Sequence, residues 1–145
     1  MEDKEVIDRL RNLGISITQP RIAIMKYLMT HHTHPNIEEI YHALKDKMPK
    51  LSLTTVYNTV NIFATYGAVT FLTIDEKNVC IEENTTPHGH LLCLKCGKTF
   101  DLPLQGLSPN TKTLCGHYIS EIHQYYKGIC SQCLEKEKQL KNNNN

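Results

Sequence analysis

Two Cys-x-x-Cys pairs constrain this chain more than any other feature of its sequence. The first pair is Cys93 and Cys96, followed by Gly97, and the second pair is Cys130 and Cys133. The spacing lets both sulfurs of a pair reach one ion, and two such pairs can close a tetrahedral zinc site. The sequence therefore predicts a structural zinc ion bound by these four cysteines, with the glycine in the tight turn after the second ligand.

Two alternatives compete with zinc at these cysteines. A pair of disulfides would need an oxidising compartment, whereas paired cysteines of this kind in an intracellular chain are typical of metal sites. A redox dithiol would need a strand-to-helix context, which we do not expect around either pair, and it would leave the duplication unexplained. The remaining cysteines, Cys80 and Cys115, are predicted to be small buried apolar residues rather than reactive thiols.

Composition limits the class of protein and its compartment. A chain of 145 residues forms one or two small domains, and a hydrophobic fraction of 40% is enough for modest cores. No apolar run approaches the length of a membrane-spanning helix, and the acidic first residues lack the apolar segment of a secretory signal. We therefore expect a cytoplasmic protein without a membrane partner. The net charge of +1 does not by itself indicate a nucleic-acid partner.

Residues 1–82 have the pattern of four short helices followed by a hairpin. The predicted helices are residues 3–13, residues 20–31 with a buried face that includes His31, a third capped by Asn36 and a fourth capped by Ser52. Two strands follow, at residues 69–74 and 79–82. This is the order of elements in a winged helix-turn-helix domain.

The fourth predicted helix has one apolar stripe and one uncharged polar face. The stripe is formed by Leu53, Val56, Val60 and Phe63. In a winged helix the polar face would enter the major groove of DNA, whereas in a plain helical domain it would merely meet water, and the pattern alone does not separate the two. The candidate DNA-binding residues are Arg21, Lys50, Ser52, Thr54, Thr55, Tyr57, Asn58 and Asn61.

The rest of the chain predicts a smaller mixed domain. Residues 83–87 are interpreted as a hinge, residues 88–136 as the second domain and residues 137–145 as a disordered tail. Within the second domain we expect strands around the first zinc turn and a further strand over residues 117–126. Ahead of the first cysteine pair, His88 and His90 would share one face of a strand, where their imidazoles and nearby carboxylates suit a second, more exchangeable ion.

Taken together, the motifs resemble the ferric uptake regulator family of metal-dependent repressors, from residue 5 to residue 136. The motifs that carry the resemblance are Thr18-Gln-Pro-Arg21, His34-Pro-Asn-Ile-Glu-Glu-Ile-Tyr41, Ser52-Leu-Thr-Thr-Val-Tyr57-Asn58, His88-x-His90-x-x-Cys93-x-x-Cys96-Gly97 and Cys130-x-x-Cys133.

The resemblance implies a fold and a second metal site. The implied fold is α+β, with an N-terminal winged helix-turn-helix DNA-binding domain and a small C-terminal α/β dimerisation domain that carries the four-cysteine zinc site. The implied partners are double-stranded operator DNA and a second copy of the chain. A regulatory Fe²⁺ or Mn²⁺ ion is implied at the positions of His34, Glu82, His88, His90 and Asp101.

The subgroup is expected from the carboxylates among those positions. Asp101 is similar to the peroxide-sensing repressors, whereas Glu82 is similar to the iron-uptake regulators, and Cys80 keeps a zinc-uptake regulator open. We predict a repressor that senses hydrogen peroxide through oxidation of its Fe²⁺-bound regulatory site, with iron-responsive or zinc-responsive uptake regulation as the alternatives. An enzyme for metal storage or redox chemistry is a hypothesis from another class, and the sequence offers no substrate-pocket motif for it.

Two departures from the family pattern concern DNA. Ser16 lies where a basic residue is usual before the Thr-Gln-Pro-Arg segment, and the fourth helix lacks the arginine that often follows its tyrosine, with Asn58 and Asn61 in that region instead. Both departures lead us to expect altered affinity or specificity for the operator.

Overall fold

The computed structural model describes residues 2–75, 77–108 and 110–143. The chain forms two compact units, Met1–Thr85 and Thr86–Asn145. The boundary between the units falls within residues 83–87, the range predicted for the hinge. In the described part of the chain, every helix is too short or too polar to cross a membrane.

The first unit contains four helices followed by a two-stranded hairpin, as the sequence predicts. Its elements are α1 (Asp3–Asn12), α2 (Gln19–Thr30), α3 (Ile37–Leu44), α4 (Leu53–Thr65), β1 (Thr70–Leu72) and β2 (Cys80–Glu82), with the two strands antiparallel. Side-chain oxygens cap three of the helices: Thr18 accepts from the N–H of Arg21, Asn36 from that of Glu39, and Ser52 from that of Thr55.

The core of the first unit lies between the helices and the hairpin. α1 contributes Val6 and Leu10, α2 contributes Ile24, Met25 and Leu28, and the other elements close the cluster with Ile40, Val56, Val60, Phe63 and Ile81. The apolar stripe predicted for α4 is confirmed at Val56, Val60 and Phe63. Because these residues fix one side of α4, the opposite polar side faces outward.

Two residues predicted to be buried in this unit are exposed. Leu53 is 45% exposed because it is the first residue of α4, ahead of the turn that reaches the core. On the same helix Thr59, which is not part of the predicted apolar stripe, is buried. Its hydroxyl donates to the carbonyl of Thr55 at 2.7 Å, so the buried oxygen has a hydrogen-bond partner. His31 follows the last residue of α2 in extended backbone, so it leaves the helical stripe and its ring stacks on Tyr27.

The second unit is a three-stranded sheet, a small hairpin and a helix. The sheet has the order β4 (Thr99–Leu102), β3 (Gly89–Cys93) and β7 (Gln124–Gly128), with β3 antiparallel to β4 and parallel to β7. The hairpin consists of β5 (Thr113–Leu114) and β6 (His117–Tyr118), and α5 (Ser131–Asn143) follows the sheet. With the first unit, this gives the mixed α+β fold that the sequence predicts.

The single strand predicted over residues 117–126 is wrong. Cys115 and Gly116 adopt positive φ angles of 52° and 81°, which makes a tight turn, and β6 therefore pairs locally with β5. Residues 119–123 then separate β6 from β7. The same turn explains why Cys115, predicted to be buried, is exposed.

The disordered tail predicted for residues 137–145 is also wrong over most of its length. α5 continues to Asn143, and only Asn144 and Asn145 of the predicted tail lie outside the described residues. The helix begins at the second cysteine pair, and the carboxylate of Glu137 on α5 forms an ion pair with Lys95 in the first zinc turn. This contact lowers the pKa of the Glu137 carboxyl and anchors the middle of the helix.

Candidate metal centres and DNA-binding helix

The four paired cysteines lie together in the second unit, none of them in a disulfide. The sulfurs of Cys93 and Cys133 are 3.8 Å apart, and those of Cys96 and Cys130 are 3.9 Å apart. Sulfurs held at about 2.3 Å from a tetrahedral zinc ion are separated by about 3.8 Å. The side chains are therefore already at the spacing of a four-thiolate zinc site.

Backbone N–H groups point at the sulfur of Cys93. The N–H of Cys130 donates to it at 3.3 Å and that of Cys96 at 3.4 Å. These donors lower the pKa of Cys93 to about 6, with the Cys96 N–H the larger cause. The pKa of Cys133 is raised to about 12, first by its hydrogen bond with the Cys130 sulfur and then by burial. One thiolate is thus pre-formed, and an ion must displace the proton of another.

A second group of metal-binding side chains in the same unit surrounds Asp101. His90 and Asp101 are directly opposite each other in the β3–β4 ladder. The carboxylate oxygen Oδ1 of Asp101 is 3.4 Å from Nε2 of His90 and 3.5 Å from Nε2 of His88. Neighbouring donor atoms of an octahedral ion held at about 2.1 Å lie about 3 Å apart, so this spacing is close to that of ligands.

The tautomer of His88 suits a metal ligand. Its Nδ1 lies 2.6 Å from the carbonyl oxygen of Thr86, and because a carbonyl can only accept, Nδ1 carries the proton. The lone pair is then on Nε2, the nitrogen that faces Asp101. Ligating histidines are commonly oriented in this way, with the second ring nitrogen donating to a backbone carbonyl.

The first unit holds two further candidate ligands, His34 and Glu82. Nε2 of His34 is 3.4 Å from Oε1 of Glu82, and the two side chains are only 10% and 6% exposed. His34 lies in the loop before α3 with φ +53°, a left-handed conformation that is unfavourable for a residue with a Cβ. The loop is held by a hydrogen bond from the Ile81 N–H to the Pro35 carbonyl at 2.9 Å.

A side-chain bond also fixes this loop. The Asn36 amide accepts from the N–H of Glu39 through Oδ1, and its Nδ2 donates to Oδ1 of Asn78 at 2.6 Å. Asn36 therefore caps α3 and ties it to the turn of the β1–β2 hairpin. The predicted N-cap is confirmed, whereas the contact with Asn78 has no signature in the sequence.

The donor types in these two groups fit the predicted ions. Imidazole nitrogen together with carboxylate oxygen suits Fe²⁺, Mn²⁺ or Zn²⁺ better than Ca²⁺, which prefers oxygen alone. Each of the five predicted regulatory ligands thus lies beside another: His88 and His90 beside Asp101 in one unit, and His34 beside Glu82 in the other.

Cys80 is a poor thiolate in this structure. Its pKa is raised to about 11, first by burial and then by the negative charges of Glu39 and Asp75. Its sulfur donates to the carbonyl of Asn78 at 3.4 Å. The thiol therefore keeps its proton at neutral pH in the absence of a metal ion.

The polar face of α4 is accessible, as expected for a DNA-reading helix. Tyr57 is 54% exposed, and Asn58 is also exposed. Of the other predicted contacts, Ser52, Thr54 and Lys50 are exposed, whereas Thr55, Asn61 and Arg21 are half-buried. The guanidinium of Arg21 donates to the carbonyl of Ser16 at 2.9 Å. Ser16 therefore orients Arg21, whereas the basic residue usual at its position would add a positive charge.

Replacing Asn58 with alanine is expected to weaken operator binding by about tenfold, since a bidentate amide contact to a base is worth about 1–3 kcal/mol. The melting temperature should not change, because the side chain is exposed. Fluorescence anisotropy with labelled operator measures the affinity. Asn143→Ala, on a helix of the other unit, is the matched control. Equal affinities for the two variants would remove Asn58 from the interface.

The sequence matches the Ferric uptake regulator family over residues 12–127. The chain belongs to this family. It is 36% identical over 139 residues to the peroxide-responsive repressor PerR of Staphylococcus epidermidis, an alignment that covers 93% of this chain and 92% of that relative. The alignment spans both units, so the resemblance is not confined to the zinc motif.

Solved structures of the ferric uptake regulator family agree with the fold of this member. The ferric uptake regulator of Vibrio cholerae is 27% identical, with a TM-score of 0.66, and the match covers 85% of this chain and 98% of that one. PerR of Streptococcus pyogenes, described as a peroxide-sensing gene regulator, is 28% identical with a TM-score of 0.50, covering 90% and 92%. In this family member the four-cysteine cluster fits a structural zinc ion, as predicted.

A group of charged side chains in the first unit was not predicted from the sequence. Arg9 on α1 reaches Glu83, a residue assigned to the hinge, and Glu83 in turn contacts His32. One signal was available, since Arg9 is three residues after Val6 and one before Leu10 and so borders the buried stripe of α1. An arginine at such a position needs a partner.

Proposed function

We propose that this protein is a cytoplasmic, homodimeric transcriptional repressor that binds operator DNA with a regulatory Fe²⁺ or Mn²⁺ ion and senses hydrogen peroxide through the Fe²⁺ form. The observation that carries the proposal is the group of His88, His90 and Asp101, in which two imidazole nitrogens face one carboxylate oxygen. Aspartate at this position and the identity of 36% to a peroxide-responsive repressor support the peroxide-sensing subgroup. The proposal includes no enzymatic activity.

The proposed mechanism joins the two ligand groups on one ion. His34 and Glu82 from the first unit would bind the same ion as His88, His90 and Asp101 from the second. Such a bond between the units would fix the spacing of the two recognition helices in the dimer to the spacing of two operator half-sites. The protein would exist in an equilibrium between an open and a closed form. The metal would shift this equilibrium only as far as it binds the closed form more tightly than the open form.

His34, Glu82, His88, His90 and Asp101 would hold Fe²⁺, which would supply an electron for the reduction of hydrogen peroxide, whereas Mn²⁺ does not readily donate one. The protein contributes electron-rich imidazoles beside that reaction, of which His34 and His88 are the proposed targets. An imidazole that has gained an oxygen atom is a poorer donor, so the site would lose its ion and the repressor its operator.

The metal requirement is tested by a gel shift on the promoter of the protein's own gene. Zinc-loaded protein should bind operator with Mn²⁺ present and lose at least about tenfold in affinity without it. Asp101→Ala should bind weakly in both conditions, whereas Asp46→Ala, an exposed aspartate after α3, should respond like the wild type. Binding that is the same with and without Mn²⁺ in the wild type would refute a metal-dependent repressor.

An iron-responsive uptake regulator is the second candidate, and Glu82 favours it because glutamate at this position is similar to the iron-uptake regulators. The two candidates differ in their response to peroxide rather than in their need for metal. A zinc-responsive regulator has less support, because Cys80 is in neither group of possible metal ligands found among the described residues.

A further inference from the structure

A network of ion pairs in the first unit connects segments that are distant in sequence. The guanidinium of Arg9 on α1 donates to the carboxylate of Glu83 at 3.1 Å, to the backbone carbonyl of Glu83 at 2.6 Å and to the carbonyl of Ala68 at 3.2 Å. The other carboxylate oxygen of Glu83 is 3.2 Å from Nδ1 of His32. Glu83 is therefore held by Arg9 and lies close to His32, and its side chain is only 14% exposed.

The segments in this network are those that carry the candidate ligands of the first unit. Glu83 directly follows Glu82 in the chain, and His32 is two residues before His34 in the same loop. The loop holds His34 in the left-handed region, a conformation that surrounding contacts must maintain. The bonds to Arg9 fix the backbone immediately after Glu82, and the carboxylate of Glu83 also lies against His32 at the start of the loop.

The network is not needed to attach α1 to the core. Val6 and Leu10 already anchor the helix, and both are fully buried. A partly buried ion pair adds little net stability, because the desolvation of its charges offsets their attraction, but its directional bonds restrict geometry. Arg9 makes three such bonds with one planar group, an arrangement that lysine cannot reproduce.

We propose that Arg9 and Glu83 are positioning residues for the regulatory metal, which hold His34 and Glu82 at the spacing of ligands. This inference rests on the proposed function, in which His34 and Glu82 bind the ion. The pair itself does not touch the metal. It acts by keeping the two ligands arranged before the ion arrives, so that binding does not have to order them.

The experiment is a Mn²⁺ titration of the full-length, zinc-loaded protein by isothermal calorimetry. Arg9→Met keeps the aliphatic stem and removes the donors, and it is expected to weaken Mn²⁺ binding about tenfold. Arg9→Lys should weaken binding to a similar extent, since it keeps the charge but not the planar fork. In the double variant Arg9→Met/Glu83→Gln the loss should be smaller than the sum of the two single losses, because Arg9 and Glu83 share one contact.

Two controls separate this inference from simpler ones. Lys26→Met breaks another ion pair of α1, that with Asp3 at 3.0 Å, and should leave Mn²⁺ affinity unchanged. The melting temperature of the manganese-free, zinc-loaded protein identifies a purely structural role: a lower melting temperature with wild-type Mn²⁺ affinity would overturn the proposal. Should Arg9→Met fail to fold, Glu83→Gln alone decides the question by the same two measurements.

His34→Ala distinguishes the failure of this inference from the failure of the proposed function. If His34→Ala binds Mn²⁺ as tightly as the wild type, His34 is not a ligand and the proposed function is wrong in that respect. If His34→Ala loses affinity while Arg9→Met does not, the regulatory site stands and the positioning pair alone is rejected.

Discussion

Cys93→Ser is expected to lose its zinc ion, to unfold the second unit and to become monomeric. The core of that unit consists of the buried cysteines Cys93, Cys130 and Cys133 with Leu91, Phe100 and Ile129 packed against them. So small an apolar core cannot replace a zinc ion, which contributes on the order of ten kcal/mol in model peptides. Cys93 is the most damaging position, because two backbone N–H groups donate to its sulfur as well.

Three measurements check this result. Zinc content by mass spectrometry should fall from one ion per chain to none, light scattering should report the loss of the dimer, and circular dichroism should show reduced strand content. Cys115→Ser is the matched control, since Cys115 is exposed in the β5–β6 turn outside the cluster. A Cys93→Ser protein that remains a folded dimer would mean that the cluster does not hold the unit together.

Brief exposure to hydrogen peroxide is expected to release the Fe²⁺ form of the protein from its operator and to leave the Mn²⁺ form bound. In the Fe²⁺ form one oxygen atom of the peroxide is added to an imidazole carbon and the other leaves as water. The product on His34 or His88 is heavier by ~16 Da, the mass of one oxygen atom. Asp101 motivates the prediction, because its shorter side chain should leave the iron more open to peroxide than glutamate would.

Mass spectrometry of tryptic peptides measures the modification, and a gel shift on the same samples measures release. The modification should appear on most chains of the Fe²⁺ sample alone and should diminish in Asp101→Glu. His117, exposed on β6, is an internal control that should stay unmodified. Unmodified His34 and His88 with operator binding intact would favour an iron-responsive or zinc-responsive uptake regulator instead.

The local elements were predictable because their signals are local. Thr18, Asn36 and Ser52 each precede a helix and cap it. The cluster of four cysteines was predictable from the spacing of the two pairs alone. Asp101 was expected beside His88 and His90 from the family resemblance, and β3 and β4 form the predicted pair of strands around the turn of the first cysteine pair.

Other features depend on contacts that the sequence does not encode locally. The parallel pairing of β3 with β7 joins residues 35 positions apart, as between His90 and Tyr125, and no short motif predicts it. Arg9 meets Glu83 across 74 positions, so neither residue could be assigned a partner from its own segment. The β5–β6 hairpin was missed because its turn contains Cys115 at positive φ, a conformation that favours glycine or asparagine.

β3 contributes to both candidate metal centres of the second unit. Its last residue, Cys93, belongs to the four-cysteine cluster that fits zinc, and His90, three residues earlier, faces Asp101 across the ladder to β4. The first cysteine pair lies at the turn that joins β3 to β4. His90 and Asp101 therefore come together only when β3 and β4 pair in the correct register. We therefore expect zinc to be loaded during folding, before the exchangeable ion binds. A cell starved of zinc is then expected to make a protein that cannot bind its regulatory ion.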